Sequence, residues 1–122
     1  MQTISTCSQL VKEAWTSPEK SQGNYALAEK LLREAAAMEK SSALVLTCFG
    51  AVLCDQTKYE EAAVVLAEAA TLGSKDRNTY FNLGVALVNT TTHEEAMVAF
   101  SKAKQLVADS ESWEAYFDPQ AQ

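Results

Sequence analysis

The chain has 122 residues, of which 48% are apolar, and a formal net charge of −6 at pH 7. This is enough for one folded domain with a single hydrophobic core, and the scarcity of Gly and Pro favours an all-α fold. The ten basic residues are scattered, whereas phosphate backbones are bound by a basic stripe, so nucleic acid is not an expected partner.

The first helix is predicted over residues 3–16, where apolar side chains recur at helical spacing: Ile4, Cys7, Leu10, Val11, Ala14 and Trp15. The stretch SPEKSQGN, residues 17–24, is predicted to be a long loop, because Pro18 inside a helix would cost about 3 kcal/mol. A second helix is predicted over residues 24–39.

Four further helices are predicted over residues 43–55, 59–71, 76–89 and 93–106. The second and fourth of them follow capping-box patterns, TKYE at 57–60 and TTHE at 91–94, where Thr92 with Glu95 is an equally good pair. Gly73 follows the helix over 59–71 and is predicted to end it in the left-handed conformation.

The chain closes with DSESWEAYFDPQAQ, in which Trp113, Tyr116 and Phe117 are spaced as on one face of a helix. Residues 110–117 are therefore predicted to form a short capping helix that packs over the last helix pair. A two-turn helix is marginal on its own, so it must pack on something. An aromatic peptide that docks on a partner or on another copy of the chain is the alternative.

Residues 43–76 and 77–110 repeat each other at a period of 34 residues. The coincident pairs are small or apolar: Phe49 and Leu83, Gly50 and Gly84, Leu53 and Leu87, Ala62 and Ala96, Leu66 and Phe100, and Ala69 and Ala103. A glycine inside a helix costs about 1 kcal/mol relative to alanine, so a repeated one needs a packing reason. We expect both glycines where two paired helices cross closely, opposite the repeated alanine at 62 and 96.

These residues resemble the tetratricopeptide repeat, which has the same period and the Leu-Gly pair found in the second block, where the first block has Phe49-Gly50. The second block matches the family pattern at six positions: Tyr80, Leu83, Gly84, Leu87, Ala96 and Phe100. Neither block has the family's Trp or its terminal Pro. The resemblance implies a single domain over residues 1–122, a right-handed superhelix of three helix–turn–helix repeats closed by the capping helix. The repeats would span 3–39, in degenerate form, 43–76 and 77–110.

In proteins that this chain resembles, the first helices of the repeats line a concave groove that binds a peptide or an amphipathic helix of a partner protein. The matching positions here are mostly small, apolar or amide-bearing: Thr47, Cys48, Ala51, Asn78, Phe81, Asn82, Val85, Asn89 and, from the first repeat, Trp15. Internal packing is the alternative role for Phe81 and Val85. One subclass grips a C-terminal carboxylate with basic groove residues, but the sites in the two clear repeats are not basic here, so no such clamp is expected.

No constellation of residues points to catalysis or to a metal or cofactor site, since His93 is the only histidine and no phosphate-binding glycine motif occurs. The three cysteines Cys7, Cys48 and Cys54 fall in apolar helical patterns and are predicted to be buried free thiols in a reducing compartment. The sequence shows neither a signal peptide nor a membrane span, so a cytoplasmic protein without membrane insertion is expected.

The sequence therefore predicts a non-enzymatic protein-interaction module or adaptor. Two other function classes stay open. One is a small acidic chaperone that resembles the tetratricopeptide-type chaperones of bacterial secretion systems and holds one apolar secreted subunit. The other is a structural scaffold that self-assembles, for instance through the C-terminal aromatic segment.

Overall fold

The computed structural model of the chain describes residues 2–90 and 93–115. Within these residues the chain forms six α-helices and no strand, so the all-α prediction is confirmed. The helices are α1 (Gln2–Thr16), α2 (Pro18–Met38), α3 (Ala43–Asp55), α4 (Tyr59–Thr71), α5 (Arg77–Val88) and α6 (His93–Lys104). The bounds of α3 and α4 are those predicted, while α5 and α6 end up slightly shorter than expected.

The predicted loop over residues 17–24 is wrong. Only Ser17 separates α1 from α2, which begins at Pro18 and runs for 21 residues. Proline is well tolerated at the first position of a helix, because its missing N–H would have no partner there and its φ is already helical. The residue that was expected to break a helix instead begins one.

The helices pair as antiparallel hairpins, α1 with α2, α3 with α4 and α5 with α6. In the first hairpin Asn24 Nδ2 donates to the Leu10 carbonyl at 3.0 Å, and Cys7 Sγ to the Ala28 carbonyl at 3.7 Å. Successive hairpins stack, since α2 packs on α3, α4 packs on α5, and α3 also contacts α5. One hydrophobic cluster joins all three hairpins and also includes Trp113, which lies beyond α6.

Gly50 and Gly84 lie at close helix crossings, as predicted, but the neighbours that face them differ from the prediction. A Cβ added at Gly50 would collide with the Leu66 side chain, and one added at Gly84 would come within 2.6 Å of Phe100 Cε1. The repeated alanines 62 and 96 are buried but do not supply the nearest atoms. Each glycine thus makes room for a large side chain of the following helix.

Thr57 adopts the left-handed conformation, with φ at 62°, in the turn that ends α3. The N–H groups of Thr57 and Lys58 donate to the carbonyls of Cys54 and Leu53 at 2.9 Å, which is the Schellman pattern. The helix α4 ends in the same way, but there Gly73 takes the left-handed position, with φ at 88°, as predicted.

This turn also overturns the capping box expected at TKYE. The N-cap of α4 is Lys58, whose side chain makes no capping hydrogen bond. The second capping pattern involves Thr91 and Thr92, which lie outside the described residues.

Replacing Thr57 by glycine should raise the free energy of unfolding by about 1 kcal/mol. A β-branched residue in the left-handed region is strained by roughly 1–2 kcal/mol, and glycine removes that strain at some entropic cost. Urea unfolding followed by circular dichroism would measure the change. Gly73→Thr is the matched control and should destabilise the chain; a loss of stability in Thr57→Gly would contradict the turn geometry.

A network of charged side chains joins α2 to the beginning of α4. Arg33 donates to Glu61 Oε2 at 2.8 Å and to Glu29 Oε2 at 2.9 Å, while Lys58 and Gln56 both donate to Glu29 Oε1 at 2.7 Å. Burial by itself raises the pKa of Glu29, but hydrogen bonds from these three donors outweigh it and hold that pKa at about 2.

The stability of the fold should therefore fall in acid through Glu29. A carboxyl group whose pKa is lowered from 4.5 to about 2 on folding stabilises the chain fully above pH 4.5, and this contribution is lost as the pH falls toward 2. Because Arg33 and Lys58 are half-exposed, we expect a contribution of only about 1–2 kcal/mol. Urea unfolding at pH 7 and at pH 3 gives the decrease in the free energy of unfolding between the two pH values. This decrease should be smaller for Glu29→Gln than for the natural chain; equal decreases would refute the assignment to Glu29.

Candidate functional site

The expected capping helix over residues 110–117 is wrong for its described part, since residues 110–115 form turns and a bend followed by chain without regular secondary structure. Tyr116 and Phe117 lie outside the described residues. Residues 109–115, called the tail from here on, return from α6 across the face formed by α3 and α5, called the inner face. The polar side chains of the inner face hold the tail in place, and an isolated two-turn helix offers no comparable set of contacts.

Asn82 on α5 binds the main chain of the tail. Its Nδ2 donates to the Trp113 carbonyl at 3.0 Å, and its Oδ1 accepts from the Ala115 N–H at 2.9 Å. The side chain of Asn82 is fully buried, so these bonds satisfy an amide that has no access to water. One amide group thus binds a main-chain carbonyl and a main-chain N–H that lie two residues apart along the tail.

Asp76 and Asn78 bind the hydroxyl group of Ser112. Ser112 Oγ donates to Asp76 Oδ2 at 2.5 Å and accepts from Asn78 Nδ2 at 3.0 Å. Asp76 is also the N-cap of α5, where its Oδ1 accepts from the Asn78 N–H at 2.8 Å and from the Asp109 N–H at 3.0 Å. An N-cap aspartate is common because it satisfies free N–H groups of the first helical turn, and here the same carboxylate holds the tail as well.

Two further contacts lie at the borders of the tail. Arg77 reaches Glu114 with 3.6 Å between Nη1 and Oε2, and its guanidinium lies 4.8 Å above the Phe81 ring. Cys48 Sγ on α3 lies 3.9 Å from the Glu111 carbonyl. Burial, reinforced by the negative charge of Asp76, raises the pKa of the Cys48 thiol, so it stays protonated and acts as the donor.

Three of the nine residues predicted to line a groove therefore contact the tail: Cys48, Asn78 and Asn82. Ala51 and Val85 are fully buried in the hydrophobic cluster that also contains Trp113.

The other four predicted residues make different contacts. Thr47 bonds Thr79 across α3 and α5 with 2.5 Å between the hydroxyl oxygens. Phe81 packs edge-on against the Phe100 ring, with 5.4 Å between ring centroids. Asn89, the C-cap of α5, bonds the Val85 carbonyl in the last turn of that helix, and Trp15 is 40% exposed on α1.

The sequence reasoning missed Asp76, Ser112 and the docking of Trp113. Asp76 carries a usable signal, because an aspartate just before an apolar helical pattern is a standard N-cap. Ser112 and Trp113 carry none, since nothing in a linear sequence indicates that a short segment returns to a face built from residues some thirty positions earlier.

A slot of about 680 Å³ lies between the tail and α1. Its lining residues are mainly polar: Ser5, Ser8, Gln9, Lys12, Glu13 and Thr16 of α1, with Ile4, Ser110 and Glu111. One flank of the tail is therefore left open.

The three cysteines are buried free thiols, as predicted. Burial raises the pKa of Cys7 to about 11, and burial with the neighbouring Asp55 carboxylate raises that of Cys54 further.

Comparison with protein-family models and with curated proteins gives no match. Among residues 2–90 and 93–115, no helix has the length and apolar character needed to cross a bilayer.

Proposed function

We propose that this chain is a tetratricopeptide-like protein-interaction module that binds an extended segment of a partner protein on its inner face. The observation that carries the proposal is the tail itself: a polypeptide segment already lies there, held through its main chain by Asn82 and through a hydroxyl group by Asp76 and Asn78.

The contacts of Asn82 favour an extended peptide over an amphipathic helix. Main-chain carbonyls and N–H groups inside a helix bond each other and are not free to pair with a side chain. In an extended segment they project outward, and a carbonyl and the N–H two residues later can meet one amide. Of the two partner segments expected from the sequence, we therefore propose the extended peptide and not the amphipathic helix.

The proposed frame is a right-handed superhelix of three hairpins, with the inner face on its concave side. The support is the recurrence of the glycine crossing in two successive hairpins and the stacking of α3 on α5. We further propose the cytoplasm as the compartment, because three free and fully protonated thiols suit a reducing environment.

The test uses the full chain with Trp113→Ala, which weakens its own tail and leaves every inner-face residue intact. A fluorescein-labelled peptide with the sequence of residues 105–115 is titrated with this chain, and binding is followed by fluorescence anisotropy. We expect saturable binding that becomes about tenfold or more weaker when Asn82→Ala is added, because two main-chain groups lose their partner.

Asn89→Ala in the same background is the matched control, since Asn89 directly follows α5 as its C-cap and its side chain bonds the Val85 carbonyl rather than the tail. The control should bind the peptide unchanged. The proposal fails if the peptide does not bind a Trp113→Ala chain whose circular dichroism spectrum shows that it is folded.

A further inference from the structure

We propose that the tail is a resident competitor for the inner face, and that its side chains define the partner segment. That segment is an extended peptide with a hydroxyl-bearing, a large apolar, an acidic and a small residue at successive positions. This inference rests on the proposed function and adds to it the chemistry of the ligand and the need to displace the tail.

Each of the four positions has its own complement on the inner face. The Ser112 hydroxyl donates to Asp76 and accepts from Asn78, so the position fits a side chain that does both. The Trp113 side chain is buried in the hydrophobic cluster.

The next two positions complete the pattern. Glu114 faces the guanidinium of Arg77 at 3.6 Å. Ala115 is 3% exposed, and its N–H is held on Asn82, so the main chain runs close to α5 and a small side chain fits there.

The tail fits the inner face imperfectly. The Trp113 indole N–H is buried and has no hydrogen-bond partner among the described residues. A buried donor without a partner weakens binding, because it has given up its bond to water.

A tethered segment can stay docked in spite of such defects. Its effective concentration at the inner face is on the order of millimolar, whereas a free peptide must also offset the loss of its own translational freedom. Residues 105–108 connect the tail to α6 outside any helix, and Val107 in this link is 86% exposed. The Val107 carbonyl accepts from the Arg77 N–H at 3.1 Å, so the link stays attached to α5. Residues 109–115 can then leave without unwinding α6, and a better-fitting partner segment can take their place.

The test compares three full chains: the natural chain, Ser112→Asp and Ser110→Asp. An aspartate at 112 loses the hydroxyl donor and places a second carboxylate against Asp76, which should release the tail. Ser110 is exposed and lines the slot, so Ser110→Asp adds the same charge without touching Asp76. The labelled peptide of residues 105–115 should bind Ser112→Asp about tenfold or more tightly than it binds the other two chains.

Equal affinity of the peptide for all three chains would refute the proposal that the tail competes for the inner face. It would not contradict the proposed function. Failure to bind both Ser112→Asp and Trp113→Ala, each shown to be folded, would instead sink the proposed function.

A second measurement needs no variant. The chain has two indole N–H groups, on Trp15 and Trp113, which give separate signals in a ¹⁵N-correlation spectrum. Adding the unlabelled peptide to the ¹⁵N-labelled natural chain should move the Trp113 signal to its solvent-exposed position and leave that of Trp15 in place. A peptide that binds while the Trp113 signal stays unmoved occupies another surface, and the competitor is then refuted.

The ligand chemistry is tested with variant peptides against the Ser112→Asp chain. Peptides with Ser112→Ala, Trp113→Ala, Glu114→Lys or Ala115→Phe should each bind several-fold more weakly, whereas Ser110→Ala should bind as the natural sequence does. If the four peptide changes leave the affinity for the Ser112→Asp chain unaltered, the inner face binds only the main chain of the peptide. The proposed residue pattern is then wrong.

Discussion

Gly84→Ala should lower the free energy of unfolding by about 2–3 kcal/mol, although alanine is the better helix former by about 1 kcal/mol. The added Cβ would lie 2.6 Å from Phe100 Cε1, which is inside van der Waals contact. Phe100 cannot simply move aside, because its ring packs edge-on against Phe81 at 5.4 Å. The hairpin of α5 and α6 must then open, and the packing around the crossing is lost.

Gly23→Ala is the matched control for this prediction. Gly23 also lies inside a helix, α2, but a Cβ there would meet no atom within 4 Å. Urea unfolding should therefore show that Gly23→Ala is neutral or stabilising by up to about 1 kcal/mol. Similar losses of stability for both variants would mean that the crossing at Gly84 is not tight.

Asn82→Ala should lower the free energy of unfolding by about 2–3 kcal/mol, because the Trp113 carbonyl and the Ala115 N–H would both lose their partner in a buried site. The loss should be visible in urea unfolding, and also as a red shift of tryptophan emission if the tail leaves the inner face.

Asn89→Ala removes the asparagine that caps the C-terminal end of α5 and should cost less than about 1 kcal/mol, since its side-chain amide bonds the Val85 carbonyl and not the tail. Equal costs for the two variants would show that the contacts between Asn82 and the tail contribute nothing particular to stability.

The helix positions could be predicted because they follow from local rules. The period of 34 residues and the apolar spacing fixed α3 to α6 within two residues, and the paired glycines identified where the hairpins cross. The error at Pro18 has a physical source: proline forbids a helix interior and favours a helix beginning, and the pattern alone did not say which applied.

The tail could not be predicted in the same way. Aromatic spacing in residues 110–117 suits a helix, but a short helix has little stability of its own, so tertiary contacts decide the conformation. Here Asp76, Asn78 and Asn82 offer hydrogen bonds to a tail that is not helical. The resemblance to a repeat family led us to expect that Asn78 and Asn82 face a partner peptide, but it did not indicate that they bond the tail of the same chain.

Asn82 binds two main-chain atoms and no side chain, so the spacing of residues along the docked segment matters as well as their identity. A substitution in the docked segment changes the contact of one side chain with its own complement on the inner face. Removing one residue between positions 112 and 115 would turn every following side chain to the opposite side of the extended chain, away from its complement. An insertion or deletion between positions 112 and 115 should therefore weaken docking on the inner face more than any single substitution there.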